Sequence, residues 1–110
     1  MFQDHIEEIT PSELAERIKR GDDFDLIDVR ESHELAVAYI PQARHIPLGD
    51  LEHEIGTLDP TREIVVMCRS GKRSATGVRV LQDNGFTRLK NLAGGILRWS
   101  DDVDPTVAKY

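Results

Sequence analysis

The chain has 110 residues, of which 39% are hydrophobic, and this length suits one domain with one modest core. The formal net charge of −6 at pH 7 makes nucleic acid and anionic membrane surfaces unfavourable partners. The sequence has one cysteine, which excludes an intrachain disulfide, and it has no signal-type segment and no apolar run of 18 residues. We therefore expect a cytoplasmic protein whose single domain covers residues 1–110.

Helices and strands alternate along the chain. Thr10-Pro11-Ser12-Glu13 combines an N-cap residue, a proline at the first helical position and a glutamate three residues after the cap, which predicts a helix ending at Gly21. The residues that follow predict, in order, a strand at 25–29, a short helix from about 30 to 38, a short strand at 44–46, a weak helix at 50–55, a strand at 63–67, a helix at 74–84, a strand at 88–92 and a short helix at 95–99. This alternation is typical of a parallel sheet covered by helices on both faces, so the predicted fold class is α/β.

Cys68 lies where the apolar run 64–67 ends and a loop containing a glycine and three cations begins. A strand, such a loop and then a helix beginning near Ser74 would direct backbone N–H groups and the positive end of a helix dipole at the sulfur, which lowers the pKa of a thiol. A lone cysteine is more often a small core residue, but a buried structural thiol gains nothing from three neighbouring cations. Because ligands of parallel sheets bind at the carboxyl ends of strands, we predict that Cys68 is a nucleophile.

The charge is distributed unevenly around this loop. Residues 64–82 contain no acidic residue but include Arg69, Lys72, Arg73 and Arg79. A basic window in an acidic protein indicates a site that receives an anion. The four histidines lack metal-ligand spacing relative to one another and to Cys68, so we expect no metal.

Four motifs of the chain resemble those of rhodanese domains. They are Leu26-Ile27-Asp28-Val29-Arg30 with Glu34 downstream, Ile40-Pro41-Gln42-Ala43 leading to Ile46-Pro47, the loop from Cys68 to Ser74, and Gly94-Gly95-Ile96 with Trp99. Their order and spacing make the resemblance specific over nearly the whole chain. Residues 94–110 are also similar to the C-terminal rhodanese domain of two-domain enzymes that adenylate and then sulfurate ubiquitin-like sulfur carriers.

The resemblance implies a rhodanese-like α/β fold and sulfurtransferase activity. Cys68 would take a sulfane sulfur from a donor such as thiosulfate or a persulfide, hold it as a cysteine persulfide and pass it to a thiophilic acceptor. The backbone of the loop would hydrogen-bond the persulfide. The expected substrate-binding residues are Arg69, Ser70, Gly71, Lys72, Arg73 and Ser74.

The resemblance also assigns roles to the charged residues. Arg69 and Lys72 would orient an anionic donor, while Arg73 would either join them or pair with an acidic residue such as Asp28 or Glu34. Arg30, supported by Asp28, would fix the surroundings of the loop. No metal and no organic cofactor are expected. The implied partners are a small anionic sulfur donor and a ubiquitin-like sulfur carrier protein or a cysteine desulfurase, with neither nucleic acid nor a membrane.

Two other functions fit parts of the pattern. Phosphatases and arsenate reductases with related folds have five residues between the cysteine and the arginine of the loop, whereas Cys68 and Arg73 are separated by four. The shorter loop suits a single sulfur atom better than a tetrahedral oxyanion. A non-catalytic interaction module of the rhodanese fold is the other alternative, and the presence of both the cysteine and the basic loop argues against it.

Overall fold

The structure of the protein, a computed structural model, describes residues 5–110. Within them, five parallel strands form one sheet in the order β1-β5-β4-β2-β3. The strands are β1 (Glu8–Ile9), β2 (Asp25–Asp28), β3 (Arg44–His45), β4 (Ile64–Met67) and β5 (Leu89–Leu92). The helices are α1 (Pro11–Arg20), α2 (Ser32–Leu35), α3 (Lys72–Asp83) and α4 (Gly95–Asp102).

The core has two halves, one on each face of the sheet. Side chains along β4 alternate between them: Ile64 and Val66 pack on the α3 side, while Val65 and Met67 pack with α1 and α4. All four are fully buried, as expected for the central strand of a parallel sheet. The α/β prediction, with helices on both faces of a central parallel sheet, is confirmed.

The first helix begins and ends where its local signals place it. Thr10 caps α1, its hydroxyl accepting from the Glu13 N–H at 3.2 Å while the Glu13 carboxylate accepts from the Thr10 N–H at 3.0 Å. Gly21 follows the last turn with φ of 71°, a conformation that glycine adopts without strain. Trp99 packs in the half of the core that contains α1 and α4.

Several boundaries differ from the sequence prediction. Strand β1 was not predicted, because it has two residues, one buried apolar side chain and pairing only to β5. The weak helix at 50–55 is instead two 3₁₀ segments, Leu48–Asp50 and Glu52–Thr57. Helix α2 has four residues and ends before the predicted 38. In the described part of the chain, no helix has the length and apolarity needed to span a membrane.

Candidate functional site

The candidate site lies at the carboxyl end of the central strand. Cys68 directly follows β4 and is 1% exposed, and three residues separate it from α3, which begins at Lys72 rather than at the predicted Ser74. Gly71 has φ of 106° and turns the chain into the helix. This turn brings the Gly71 N–H to 3.1 Å from the Cys68 sulfur, to which it donates.

Two buried polar side chains extend this cluster behind the sulfur. The Ser74 hydroxyl oxygen lies 3.2 Å from the Cys68 sulfur and donates to Asn91 Oδ1 at 2.5 Å. Asn91, on β5, donates from Nδ2 to the Gly71 carbonyl at 3.0 Å. One side chain of the neighbouring strand thus holds both the turn and the hydroxyl that contact the cysteine.

The electrostatics of the cluster favour a reactive sulfur. Burial raises the pKa of the Cys68 thiol, whereas hydrogen bonds from the Ser74 side chain and from backbone N–H groups of the loop lower it. The lowering prevails, so the pKa lies below the ordinary value for cysteine. A lower pKa makes the thiolate, which is the form of cysteine that attacks a sulfur donor, easier to reach.

The two glycines after β5 allow α4 to cover the other side of the loop. The Ile96 N–H donates to the Cys68 carbonyl at 2.9 Å, and the Leu97 N–H donates to the Arg69 carbonyl at 3.2 Å. A Cβ atom on Gly95, which has φ of 60°, would lie 2.3 Å from the Arg69 carbonyl oxygen. The glycine therefore permits the contact that holds the loop against the start of α4.

The cations of the loop have different surroundings. Arg73 forms a two-pronged ion pair with Glu34, with distances of 2.6 and 2.8 Å. The Arg73 guanidinium lowers the pKa of Glu34 to about 2. Arg69 donates to the backbone carbonyl of Tyr110 and lies over its ring at 5.1 Å. Lys72 is exposed, and none of the ion pairs within residues 5–110 uses it.

Asp28 and Arg30 form a buried ion pair beside the loop. The Arg30 guanidinium, 0% exposed, donates to Asp28 at 2.8 Å, to the Ala38 carbonyl at 2.8 Å and to the Tyr110 hydroxyl at 2.8 Å. The Tyr110 hydroxyl in turn donates to Glu34 at 2.9 Å. This chain of contacts links Arg30 to Arg73 without either guanidinium touching the sulfur, and it places Asp28 and Arg30 in the surroundings of the loop.

The sequence analysis missed two residues of the site. Asn91 is an ordinary polar residue in a strand pattern, and its spacing from the loop carries no signal. Tyr110 lies in the segment similar to certain rhodanese domains, but nothing local indicates that its ring reaches the loop. Among residues 5–110, no cluster of three or more histidine, cysteine or carboxylate side chains could hold a metal ion.

Comparison with known proteins agrees with this arrangement. The rhodanese-like domain family matches residues 10–102. The chain is 41% identical over 100 residues to YtwF of Bacillus subtilis, covering 91% of this chain and 96% of that protein. It is 34% identical over 109 residues to the maize adenylyltransferase and sulfurtransferase MOCS3-1, covering 93% of this chain but 23% of that protein.

A solved structure shows the same fold. The human single-domain sulfurtransferase TSTD1 superposes with a TM-score of 0.76 at 26% identity, covering 89% of this chain and 98% of that one. The family match over residues 10–102 includes β4, the cysteine loop and the two glycines described above. The chain therefore belongs to the family of rhodanese-like domains.

Proposed function

We propose that the protein is a sulfurtransferase that carries sulfur as a persulfide on Cys68. The observation that carries this proposal is the position of the sulfur at the end of β4, where it accepts from the Gly71 N–H at 3.1 Å and contacts Ser74. Preorganised donors of this kind stabilise negative charge on the sulfur before and after transfer. The sulfurtransferase names of MOCS3-1 and TSTD1 support the same class of reaction.

The reaction needs two displacement steps. The Cys68 thiolate attacks the sulfane sulfur of thiosulfate, the new S–S bond forms, and sulfite leaves with the electron pair of the broken bond. A thiophilic acceptor such as cyanide then attacks the outer sulfur of the persulfide, and the thiolate leaves. No external oxidant or reductant is required, and the loop N–H groups serve both steps.

The contacts of Arg73 argue against phosphoryl transfer by the same loop. An oxyanion cradle needs its arginine directed at the bound tetrahedral group, whereas Arg73 pairs with Glu34 at 2.6 Å. The tight turn at Gly71, with its N–H at 3.1 Å from sulfur, suits one additional sulfur atom better than a phosphate.

The donor and acceptor that we propose follow from charge and from the relatives. An anionic donor is favoured by the exposed cation Lys72 at the start of α3. A sulfur carrier protein or a cysteine desulfurase would serve as a macromolecular partner, consistent with the similarity to MOCS3-1. The absence of a cofactor and a cytoplasmic location stay predictions.

The proposal is tested with Cys68→Ser, which replaces sulfur by a hydroxyl that forms no persulfide. We expect transfer from thiosulfate to cyanide to fall to the background rate, while the thermal unfolding midpoint stays close to that of the parent. Intact mass after thiosulfate treatment should show one added sulfur on the parent and none on the variant.

Two results would contradict the proposal. One is transfer by a folded Cys68→Ser protein, which would exclude Cys68 as the carrier. The other is a parent protein that gains no sulfur from thiosulfate or from a cysteine desulfurase, which would favour a non-catalytic interaction module.

A further inference from the structure

We propose that Asn91 is a positioning residue that controls, through Ser74, how readily the Cys68 thiol loses its proton. The three side chains form a buried row, with 3.2 Å from the sulfur to the Ser74 hydroxyl oxygen and 2.5 Å from that oxygen to Asn91 Oδ1. Ser74 is 0% exposed and Asn91 is 3% exposed, so water has little access to either partner.

The orientation of the Asn91 amide determines which group donates. Its nitrogen lies 3.0 Å from the Gly71 carbonyl, which can only accept a hydrogen bond, so Nδ2 faces the turn and Oδ1 faces Ser74. Because Oδ1 also can only accept, the single Ser74 hydroxyl proton points to Asn91 in the resting site. The contact between sulfur and Ser74 is then made by the thiol proton.

Ionisation of the thiol creates a competition for the Ser74 proton. The thiolate can accept from Ser74 only if the hydroxyl turns away from Asn91, and Oδ1 is then left buried without a donor. If the hydroxyl stays on Asn91, its lone pairs face a negative sulfur. Either arrangement makes the thiolate less favourable than it would be with Ser74 free to donate, so Asn91 limits how far Ser74 assists ionisation.

Other ionisable groups lie in and beside the loop, and the test leaves them unchanged. They belong to the loop and α3, to the end of β2 and the residues after it, to α2 and to residue 110, namely Arg69, Lys72, Arg73, Asp28, Arg30, Glu34 and Tyr110. Asn91 and Ser74 are neutral, so replacing them alters hydrogen bonding without altering net charge.

The inference rests on the proposed function only for the role it gives to the sulfur. It is tested by the rate of Cys68 alkylation against pH, which needs no sulfur donor and no acceptor. A protein without transfer activity would therefore still give a clear result.

The experiment compares the parent, Ser74→Ala, Asn91→Leu and the double variant. We expect Asn91→Leu to lower the Cys68 pKa by about one unit while Ser74 is present, since the hydroxyl is then free to donate to the thiolate. In the Ser74→Ala background, Asn91→Leu should shift the pKa by less than about a third of that amount.

Ser100→Ala is the matched control. It removes another buried hydroxyl, which donates to the Val107 carbonyl, and it should leave the titration of Cys68 unchanged.

A purely structural role for Asn91 predicts a different pattern. Loss of its contact with the Gly71 carbonyl would shift the titration equally with and without the Ser74 hydroxyl, and that result would overturn the proposal. An upward shift, or none, from Asn91→Leu with Ser74 present would overturn it as well.

Ser74→Ala alone gives a second test if the Asn91 variants do not fold. With Asn91 intact, it should change the Cys68 pKa by less than about half a unit in either direction, because the hydroxyl proton is engaged by Asn91 and is largely withheld from the thiolate. A rise of more than about half a unit would overturn the proposal.

Discussion

At the scale of single residues, the three cations of the loop differ in the contacts that they make within the protein. Arg73 is paired with Glu34, and Arg69 is held by the backbone carbonyl and the ring of Tyr110. Lys72 is exposed and lies directly after the Gly71 turn. The sequence analysis gave Arg69 and Lys72 the same role, to orient an anionic donor. In the structure the Lys72 side chain is exposed, so it is the better placed of the two to contact such a donor.

We predict that Lys72→Ala affects donor recruitment more than Arg69→Ala does. Loss of one cation near the site should raise KM for thiosulfate about three-fold at low salt and weaken its dependence on ionic strength, because screened attraction is what the cation supplies. Arg69→Ala should change KM less, since the guanidinium of Arg69 already donates to the Tyr110 carbonyl.

The control for both variants is Arg79→Ala, an equal change of charge at an exposed position farther along α3. Steady-state transfer to cyanide at several salt concentrations provides the measurement. Equal effects from all three variants would mean that only net charge matters and that Lys72 has no special position.

At the scale of elements, the site depends on the close contact between the cysteine loop and the start of α4. The helix donates the Ile96 N–H to the Cys68 carbonyl at 2.9 Å, and Gly95 leaves the space for this approach. The strands that precede these two segments, β4 and β5, are parallel neighbours in the sheet. The loop and the helix therefore both begin at the carboxyl ends of the strands.

We predict that Gly95→Ala is strongly destabilising. The added Cβ would meet the Arg69 carbonyl oxygen at 2.3 Å at a backbone φ of 60°, so we expect a loss of about 2–4 kcal/mol in the free energy of unfolding. Gly56→Ala is the matched control, because its Cβ would meet nothing within 4 Å, and it should change stability by about 0.5 kcal/mol or less. Urea unfolding measures both, and similar losses in the two variants would contradict the steric argument.

At the scale of the whole molecule, two carboxylates connect separate elements, the buried Glu34 and the partly buried Glu63. Glu34 joins α2 to α3 through Arg73, and Glu63 joins α1 to the sheet through Arg17 at 2.6 Å and Lys90 at 3.1 Å. The Arg73 hydrogen bond lowers the pKa of Glu34 to about 2, and the Arg17 hydrogen bond lowers that of Glu63 to about 2. Both values lie below the ordinary 4.5.

We predict that stability falls in acid because of these two groups. A carboxylate with a lowered folded-state pKa contributes stability that is present above its unfolded pKa and is lost as the pH falls towards the folded value. Protonation of each carboxylate should therefore lower the free energy of unfolding by about 2 kcal/mol between pH 7 and pH 3. Glu34→Gln should be less stable than the parent at pH 7 and should lose less stability on acidification.

Urea unfolding at pH 7, 5, 4 and 3 gives the required series. Glu16→Gln, the same change at an exposed position on α1, should follow the parent curve. A Glu34→Gln curve parallel to that of the parent would show that the ion pair with Arg73 contributes no acid sensitivity.

The sequence by itself determined the class of the fold and the place of Cys68 at the end of a buried strand. The cap at Thr10, the alternation of apolar runs with helical patterns, and the step from strand to glycine loop at Cys68 are local features, so neighbouring residues suffice to recognise them. The motifs of the resemblance depend on the same local signals, and the family assignment confirms them.

Only the tertiary structure decided what surrounds the sulfur. Asn91 contacts Ser74, which is 17 residues away in the sequence, and Tyr110 contacts Arg30, which is 80 residues away. These contacts form because segments distant in sequence meet near the carboxyl ends of the strands. The two-residue strand β1 depends likewise on backbone pairing to β5. Hydrogen-bond partners at such separations follow from sheet order and helix packing, which local propensity and spacing do not encode.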